Sequence, residues 1–198
     1  SVAGLQAFGF SINFNGVLYS GGYLNNNGNM TLDGGTLSTY TPFPIATTGR
    51  SMFAPFFGDV DTRGAGSALM TYGAGFVGTR PAYGQTWDGV GVGYFAGGVD
   101  KLNQFQTVIV DRSTDYTLGD FDLYFNYDQI QWETGGASGG SGGLGGSSAR
   151  AGFTNGVDPF FPNSYEFAGS AVNGGLLDSN GTTGLIHGSR TTTDDLLG

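Results

Sequence analysis

The sequence predicts an all-β fold, an antiparallel β-sandwich-like single domain with long glycine-rich loops. Apolar residues alternate with polar ones at a period of two along most of the chain. Turn signals rich in Asn and Gly recur about every 8–12 residues, the spacing of a sandwich or barrel. No stretch places apolar residues at the spacing of an amphipathic helix.

The clearest strand is the segment DFDLYFNYDQIQW, residues 120–132. Every second residue from 121 to 127 is apolar, and Ile130 and Trp132 continue the apolar series on the opposite parity. Such a switch predicts a β-bulge or a corner at Asp128–Gln129. Further strands are predicted at residues 17–19, 30–32, 68–72, 86–95, 105–110, 165–167 and 185–187.

The N-terminal strand is predicted from Phe8, Phe10, Ile12 and Phe14, which alternate with small or polar residues. Asn15-Gly16 follows, and this dipeptide favours a tight hairpin turn because both residues tolerate positive φ. An alternating apolar strand of this kind can also pair with the sheet edge of a neighbouring chain. These four residues are therefore candidates for an intersubunit strand.

The charge balance is strongly acidic. There are 16 acidic and 7 basic residues in 198, for a net charge of −9. Such a surface repels phosphate, which disfavours nucleic-acid binding and association with anionic membranes.

Cysteine is absent, so neither a disulfide nor a thiolate metal site can form. No apolar run is long enough to insert into a membrane, and the chain does not open with a signal peptide, which we expect to have been removed already.

The segment WETGGASGGSGGLGGSSARAGF contains a glycine-rich loop, residues 135–148, which could be a tether, a ligand loop or a fixed part of one fold. A domain boundary here would leave a C-terminal piece of about 45 residues, too small for a core of its own. We therefore expect a loop inside one domain that spans residues 1–198. A match to G-x-G-x-x-G at residues 140–145 lacks the following helix that a dinucleotide site needs.

Catalytic signals are weak. Ser138 lies in a G-x-S-x-G pattern that a Gly/Ser tract produces by chance. The only histidine, His187, has neighbours typical of a surface turn. A hydrolase built on these two residues is therefore the remote alternative, and no enzyme is expected.

Asp59 and Asp61 are spaced to project from one face of an extended segment. Carboxylates suit calcium, a hard cation, which makes these residues a candidate calcium site. The alternatives are a solvated acidic face, a loop fixed through Arg63, or a pair of glycosidase carboxylates.

Five tyrosines near polar loops could stack on sugars, or they could be half-buried strand residues: Tyr19, Tyr23, Tyr40, Tyr72 and Tyr83.

Four segments of the sequence carry a family resemblance: FAPFFGDVDTRG (53–64), FQTVIVDR (105–112), GDFDLYFNYDQIQWETGGASGGSGGLGG (119–146) and ARAGF (149–153). Together they resemble the nidogen-like extracellular domain (NIDO). That family is found in animal basement-membrane and mucin-type proteins and in bacterial secreted proteins. The unbroken Gly/Ser loop and the lack of cysteine are more similar to the bacterial branch. Many bacterial members carry a C-terminal sorting tail, whereas this sequence ends at TTTDDLLG, so we expect it to be a processed or trimmed form.

The resemblance implies an extracellular or cell-surface module with no catalytic residues to carry over. We expect a non-catalytic structural or adhesion module, in a sharper form a self-assembling subunit of a bacterial surface fibre or biofilm matrix. The alternative is a ligand-binding module, for a glycan or a matrix protein, displayed on a larger secreted protein. Its partners would then be further copies of itself, another extracellular protein or a glycan.

Overall fold

The computed structural model describes residues 4–91, 100–156 and 163–186. Regular structure in these ranges consists of strands and two short 3-10 helices, at Ile45–Thr47 and Gly136–Ser138. The strands are β1 (Gln6–Phe14), β2 (Val17–Asn25), β3 (Asn29–Thr31), β4 (Ser51–Phe57), β5 (Thr71–Val77), β6 (Arg80–Gly91), β7 (Leu102–Asp111), β8 (Phe121–Gln129), β9 (Arg150–Asn155) and β10 (Ser164–Glu166).

The strands form two antiparallel sheets. One sheet has six strands in the order β1-β2-β3-β4-β9-β10, and the other has four in the order β5-β6-β7-β8. A shared apolar cluster joins them: Phe8, Leu24 and Phe53 of the first sheet pack with Tyr83 and Ile109 of the second. The predicted all-β, sandwich-like fold is therefore confirmed.

A second core cluster is rich in aromatic rings. Trp87 stacks on Phe105 with ring centroids 4.7 Å apart, and Phe56 meets Trp132 edge-on at 5.3 Å. Both tryptophans are fully buried. Burying a large apolar side chain contributes about 2–3 kcal/mol, so these rings supply core stability that a chain with few aliphatic residues would otherwise lack.

The predicted bulge at Asp128–Gln129 is confirmed. Gln104 of β7 pairs with Gln129, whereas the next residue, Phe105, pairs with Tyr127. Asp128 is therefore the extra residue of β8, and its side chain is exposed. The insertion reverses the parity of the chain, so that Ile130 enters the core.

The N-terminal hairpin also forms as predicted. Phe14 pairs with Val17, and the turn residues Asn15 and Gly16 have φ of 53° and 85°. Both values suit a tight turn of the I′ type, whose twist matches that of the flanking strands. The register then shifts, because residues 8–11 of β1 lie opposite Ser20 alone. The shift produces a pronounced bulge in this edge strand.

Some strand positions differ from the predictions. β5 and β6 form a hairpin at residues 71–91, whereas the sequence predicted strands at 68–72 and 86–95; residues 92–95 of the second lie outside the described residues. Glycines occupy alternate positions of β5 and weaken its apolar pattern, which explains the shift. Leu185 and Ile186 are not in a strand, so the strand predicted at 185–187 is wrong over its described residues.

Candidate functional site

The segment that follows β4 forms one wall of an open cavity of about 530 Å³. Asp59 and Asp61 lie in this wall and are 7% and 9% exposed. Other parts of the cavity come from the β2–β3 turn, the β3–β4 connection and the residues before β5. The lining residues used below are Asn26, Asn27, Tyr40, Asp59, Asp61 and Leu69.

Asp59 is the electrostatically unusual member of the pair. Burial, and then repulsion from Asp61, raise the pKa of its carboxyl to about 6. Hydrogen bonds from the Ser138 hydroxyl and from the backbone N–H groups of Ala137 and Ser138 oppose this rise in pKa. The Ser138 Oγ lies 3.5 Å from Asp59 Oδ2, across 79 residues of sequence. Asp59 is therefore held against the glycine-rich loop.

Asp61 is engaged by Arg63. The Arg63 Nε donates to Asp61 Oδ1 at 2.8 Å, and Nη2 donates to Oδ2 at 2.5 Å. This bidentate pair corresponds to the alternative in which Arg63 fixes the loop, and calcium would have to compete with the guanidinium. Within the described residues no group of three or more His, Asp or Glu side chains could hold a metal ion. The calcium role of Asp59 and Asp61 stays a prediction.

The glycine-rich loop, residues 135–148, packs on the domain through backbone hydrogen bonds. The Glu133 and Thr134 N–H groups both donate to the Gly143 carbonyl oxygen at 2.9 Å, and Ser147 N–H donates to Ser138 O at 2.9 Å. Gly143 has φ of +87°, and a Cβ there would lie 2.8 Å from the Trp132 Cβ. The loop is therefore a fixed part of the fold that needs glycine where it crosses Trp132.

Ser138, the candidate nucleophile, is buried in this loop. Its hydroxyl lies 3.5 Å from Asp59 Oδ2 and 3.3 Å from Thr41 Oγ1, so it links the loop to two other segments. The candidate general base, His187, lies outside the described residues. The contacts of Ser138 are those of a side chain that positions Asp59.

The five tyrosines proposed for sugar stacking have different environments. Tyr83 is buried in the core, and Tyr19 and Tyr23 are half-buried on β2. Tyr40 and Tyr72 are 49% and 46% exposed. Tyr40 lines the cavity beside Asp59 and Asp61, which the sequence could not show, whereas Tyr72 lies on β5.

Strand β5 is a second candidate site, and the sequence analysis did not identify it. Residues 71–76 are all exposed, with Phe76 75% exposed. β5 pairs with β6 at seven consecutive positions without a register shift, and among the described strands it is the edge of the four-stranded sheet. The sequence TYGAGFV contains no charge and no proline. The alternation of Tyr72, Ala74 and Phe76 was the signal that could have revealed it.

The N-terminal strand β1 is the edge of the other sheet. Phe8 and Ile12 are fully buried, and Phe10 and Phe14 pack against the same core cluster. Their side chains therefore serve the fold, and any intersubunit pairing would use the backbone edge of β1. That intersubunit role stays a prediction.

Comparisons with known proteins agree with the resemblance found in the sequence. The sequence model of the nidogen-like domain matches residues 74–186. Alpha-tectorin of Mus musculus is 35% identical over 172 residues, covering 72% of this chain and 7% of the tectorin, and Homo sapiens alpha-tectorin gives the same values. Alpha-tectorin of Gallus gallus is 33% identical over 171 residues, covering 70% of this chain and 7% of its own. The chain thus spans a small part of these relatives.

No solved structure has a significant similarity to the chain. Within the part of the chain that the structure describes, no helix is long and apolar enough to cross a membrane. The relatives named above are vertebrate proteins, so the assignment to a bacterial branch stays a prediction.

Proposed function

Because the chain belongs to the nidogen-like domain family, we propose that it is a non-catalytic, extracellular structural module that associates with a second copy through strand β5. The family supports the extracellular setting and the structural role. The exposed edge of β5 is the observation that carries the proposed contact. Bulges, charges or proline normally protect edge strands from pairing with other chains. β1 is bulged and β8 carries Asp122 and Asp128, whereas β5 is regular and uncharged.

The sequence of β5 is complementary to itself in an antiparallel pair. A two-fold axis at Ala74 would place Tyr72 of one copy opposite Phe76 of the other, and Gly73 opposite Gly75. Cross-strand aromatic pairs contribute about 0.2–1 kcal/mol each beyond the backbone hydrogen bonds. The axis generates two such pairs, so self-recognition is favoured over pairing with an arbitrary strand.

The charge of the chain also bears on this contact. Two copies that each carry a net charge of −9 repel one another. An uncharged strand is therefore the most suitable contact surface, and salt should strengthen association by screening the repulsion. A two-fold contact closes a dimer, so a fibre needs a second, different contact. The edge of β1 is the candidate for that contact, in keeping with the predicted surface fibre.

The test is light scattering during size-exclusion chromatography over a range of protein and salt concentrations. The wild-type chain should form dimers or larger species, and Phe76→Lys should shift it to monomer, because a lysine on an edge strand blocks pairing. Tyr116→Lys is the matched control. Tyr116 is also 75% exposed, lies in the β7–β8 loop and receives the same change of charge. It should leave association unchanged.

A monomeric wild-type chain at every concentration and salt level would refute the proposed contact. Equal loss of association in both variants would attribute the effect to charge rather than to β5. Deletion of residues 1–14 is a poor test of β1, because it removes the buried Phe8 and Ile12 from the core.

A further inference from the structure

The cavity beside β4 has the composition of a carbohydrate site. Tyr40 contributes an exposed aromatic ring, and Leu69 contributes an exposed apolar side chain. The acidic pair Asp59 and Asp61 lines the same cavity. We propose that this cavity binds a neutral sugar residue of a glycan, with Tyr40 under the apolar face of the ring and Asp59 accepting hydroxyl hydrogen bonds. This ligand site is separate from the β5 contact and adds ligand binding to the proposed structural role.

The aromatic contact follows from the chemistry of the sugar. A pyranose presents C–H groups on one face, and an aromatic ring presents a partly negative face to which such groups are attracted. Tyr40 is 49% exposed at the cavity. Its backbone carbonyl oxygen lies 3.5 Å from the Ser138 hydroxyl, so the residue is tied to the same loop that holds Asp59.

The polar groups of the cavity are pre-positioned. Asn26 Nδ2 donates to Val60 O at 3.1 Å, and Asn27 Nδ2 donates to Thr39 O at 3.0 Å. These bonds fix both amides, whose oxygens are further acceptors. Asp59 is fixed by the glycine-rich loop, and its carboxylate can accept several hydrogen bonds. A few fixed polar groups in a partly apolar cavity are characteristic of small-molecule sites.

Charge decides which sugars fit. Two carboxylates face the cavity, and one of them is paired with Arg63. The excess negative charge disfavours sulfated sugars, sialic acids and uronic acids, because like charges repel. The pairing of Asp61 with Arg63 reduces the attraction for a free cation. A neutral hexose or N-acetylhexosamine residue is therefore the ligand class that matches the cavity.

The experiment is an NMR titration of the full chain with neutral disaccharides (lactose, maltose, cellobiose, mannobiose and chitobiose) and with glucuronic acid as the anionic probe. We expect at least one neutral sugar to shift the resonances of Tyr40, Asn27 and Asp59, and glucuronic acid to leave them unchanged. Tyr40→Ala should weaken that binding about tenfold or more, since it removes the stacking surface. Tyr40→Phe keeps the ring and should bind nearly as wild type, which guards against misfolding of the alanine variant.

Tyr72→Ala is the matched control, because Tyr72 has nearly the same exposure but lies on β5. It should bind sugar as wild type, and so should Phe76→Lys, which separates this proposal from the one on association. Two outcomes would overturn the proposal: no response to any neutral sugar, or equal losses in Tyr40→Ala and Tyr72→Ala. Shifts of the cavity residues with calcium chloride and with none of the sugars would make the cavity a metal site instead.

Discussion

The buried side chain of Asn103 forms hydrogen bonds to both backbone polar groups of Trp132. Its Nδ2 donates to the Trp132 carbonyl oxygen at 3.0 Å, and its Oδ1 accepts from the Trp132 N–H at 3.2 Å. Oδ1 also accepts from Gln131 N–H at 2.8 Å. Past the bulge at Asp128 the chain leaves the β7–β8 ladder, and this one amide replaces the strand partner that the backbone has lost.

Replacing this amide should therefore be costly. Asn103→Leu removes all three of these buried or partly buried hydrogen bonds, and we expect the free energy of unfolding to fall by about 2–4 kcal/mol. The side chain of the neighbouring Gln104 donates a hydrogen bond to Asp88 at the surface, so Gln104→Ala should change the free energy of unfolding by less than about 1 kcal/mol. Urea unfolding measures both, and similar stabilities for the two variants would contradict the role given to Asn103.

The glycine-rich loop offers a matched pair of substitutions. Gly142 and Gly143 both have positive φ, but a Cβ on Gly142 meets open space, whereas one on Gly143 meets the Trp132 side chain. Gly142→Ala should cost about 1 kcal/mol, from backbone strain alone. Gly143→Ala should cost about 2–4 kcal/mol, because overpacking adds to the strain. Thermal unfolding distinguishes the two, and equal costs would mean that the loop can move away from Trp132.

Asp59 should make stability depend on pH. Its pKa rises from 3.8 to about 6 on folding, chiefly through burial and then through Asp61, while Ser138 and the loop N–H groups oppose the rise. The folded protein holds the proton more tightly than the unfolded chain. The resulting stabilisation is complete below about pH 4 and is lost as the pH rises through about 6, by at most about 3 kcal/mol.

Asp59→Asn removes this titration. We expect the variant to gain stability relative to wild type between pH 4 and pH 7.5, measured by denaturant unfolding at each pH. Asp88→Asn, at an exposed carboxylate, controls for the loss of one negative charge. A constant difference between Asp59→Asn and wild type across this range would show that Asp59 is not the titrating group.

Glu133 anchors the segment that follows β10. Its buried carboxylate accepts hydrogen bonds from the N–H groups of Gly174, at 2.7 Å, and Leu176. Glu133→Ala should release this segment and speed amide exchange at residues 174–177 by about tenfold or more, because buried donors lose a charged acceptor. Glu133→Gln keeps one acceptor oxygen and should have a smaller effect. Unchanged exchange in the alanine variant would show that other contacts hold the segment.

Local patterns predicted those parts of the fold that depend on neighbours in sequence. The Asn15-Gly16 turn forms because its residues accept positive φ, and the bulge at Asp128 appears in the sequence as a change of parity. β5 was misplaced because its glycines carry no side chain whose polarity could mark a face. Its importance as an exposed edge depends on strand order, which no local pattern encodes.

The all-β fold, the acidic surface and the family follow from alternation, charge and motif spacing, which are properties of the chain alone. The contact of Asp59 with Ser138, the cavity that Tyr40 shares with two aspartates, and the edge position of β5 among the described strands appear only in the folded protein. Each of these depends on contacts, or on their absence, between segments far apart in sequence. Burial and pKa follow from such contacts, so they could not be obtained before the sheets were assembled.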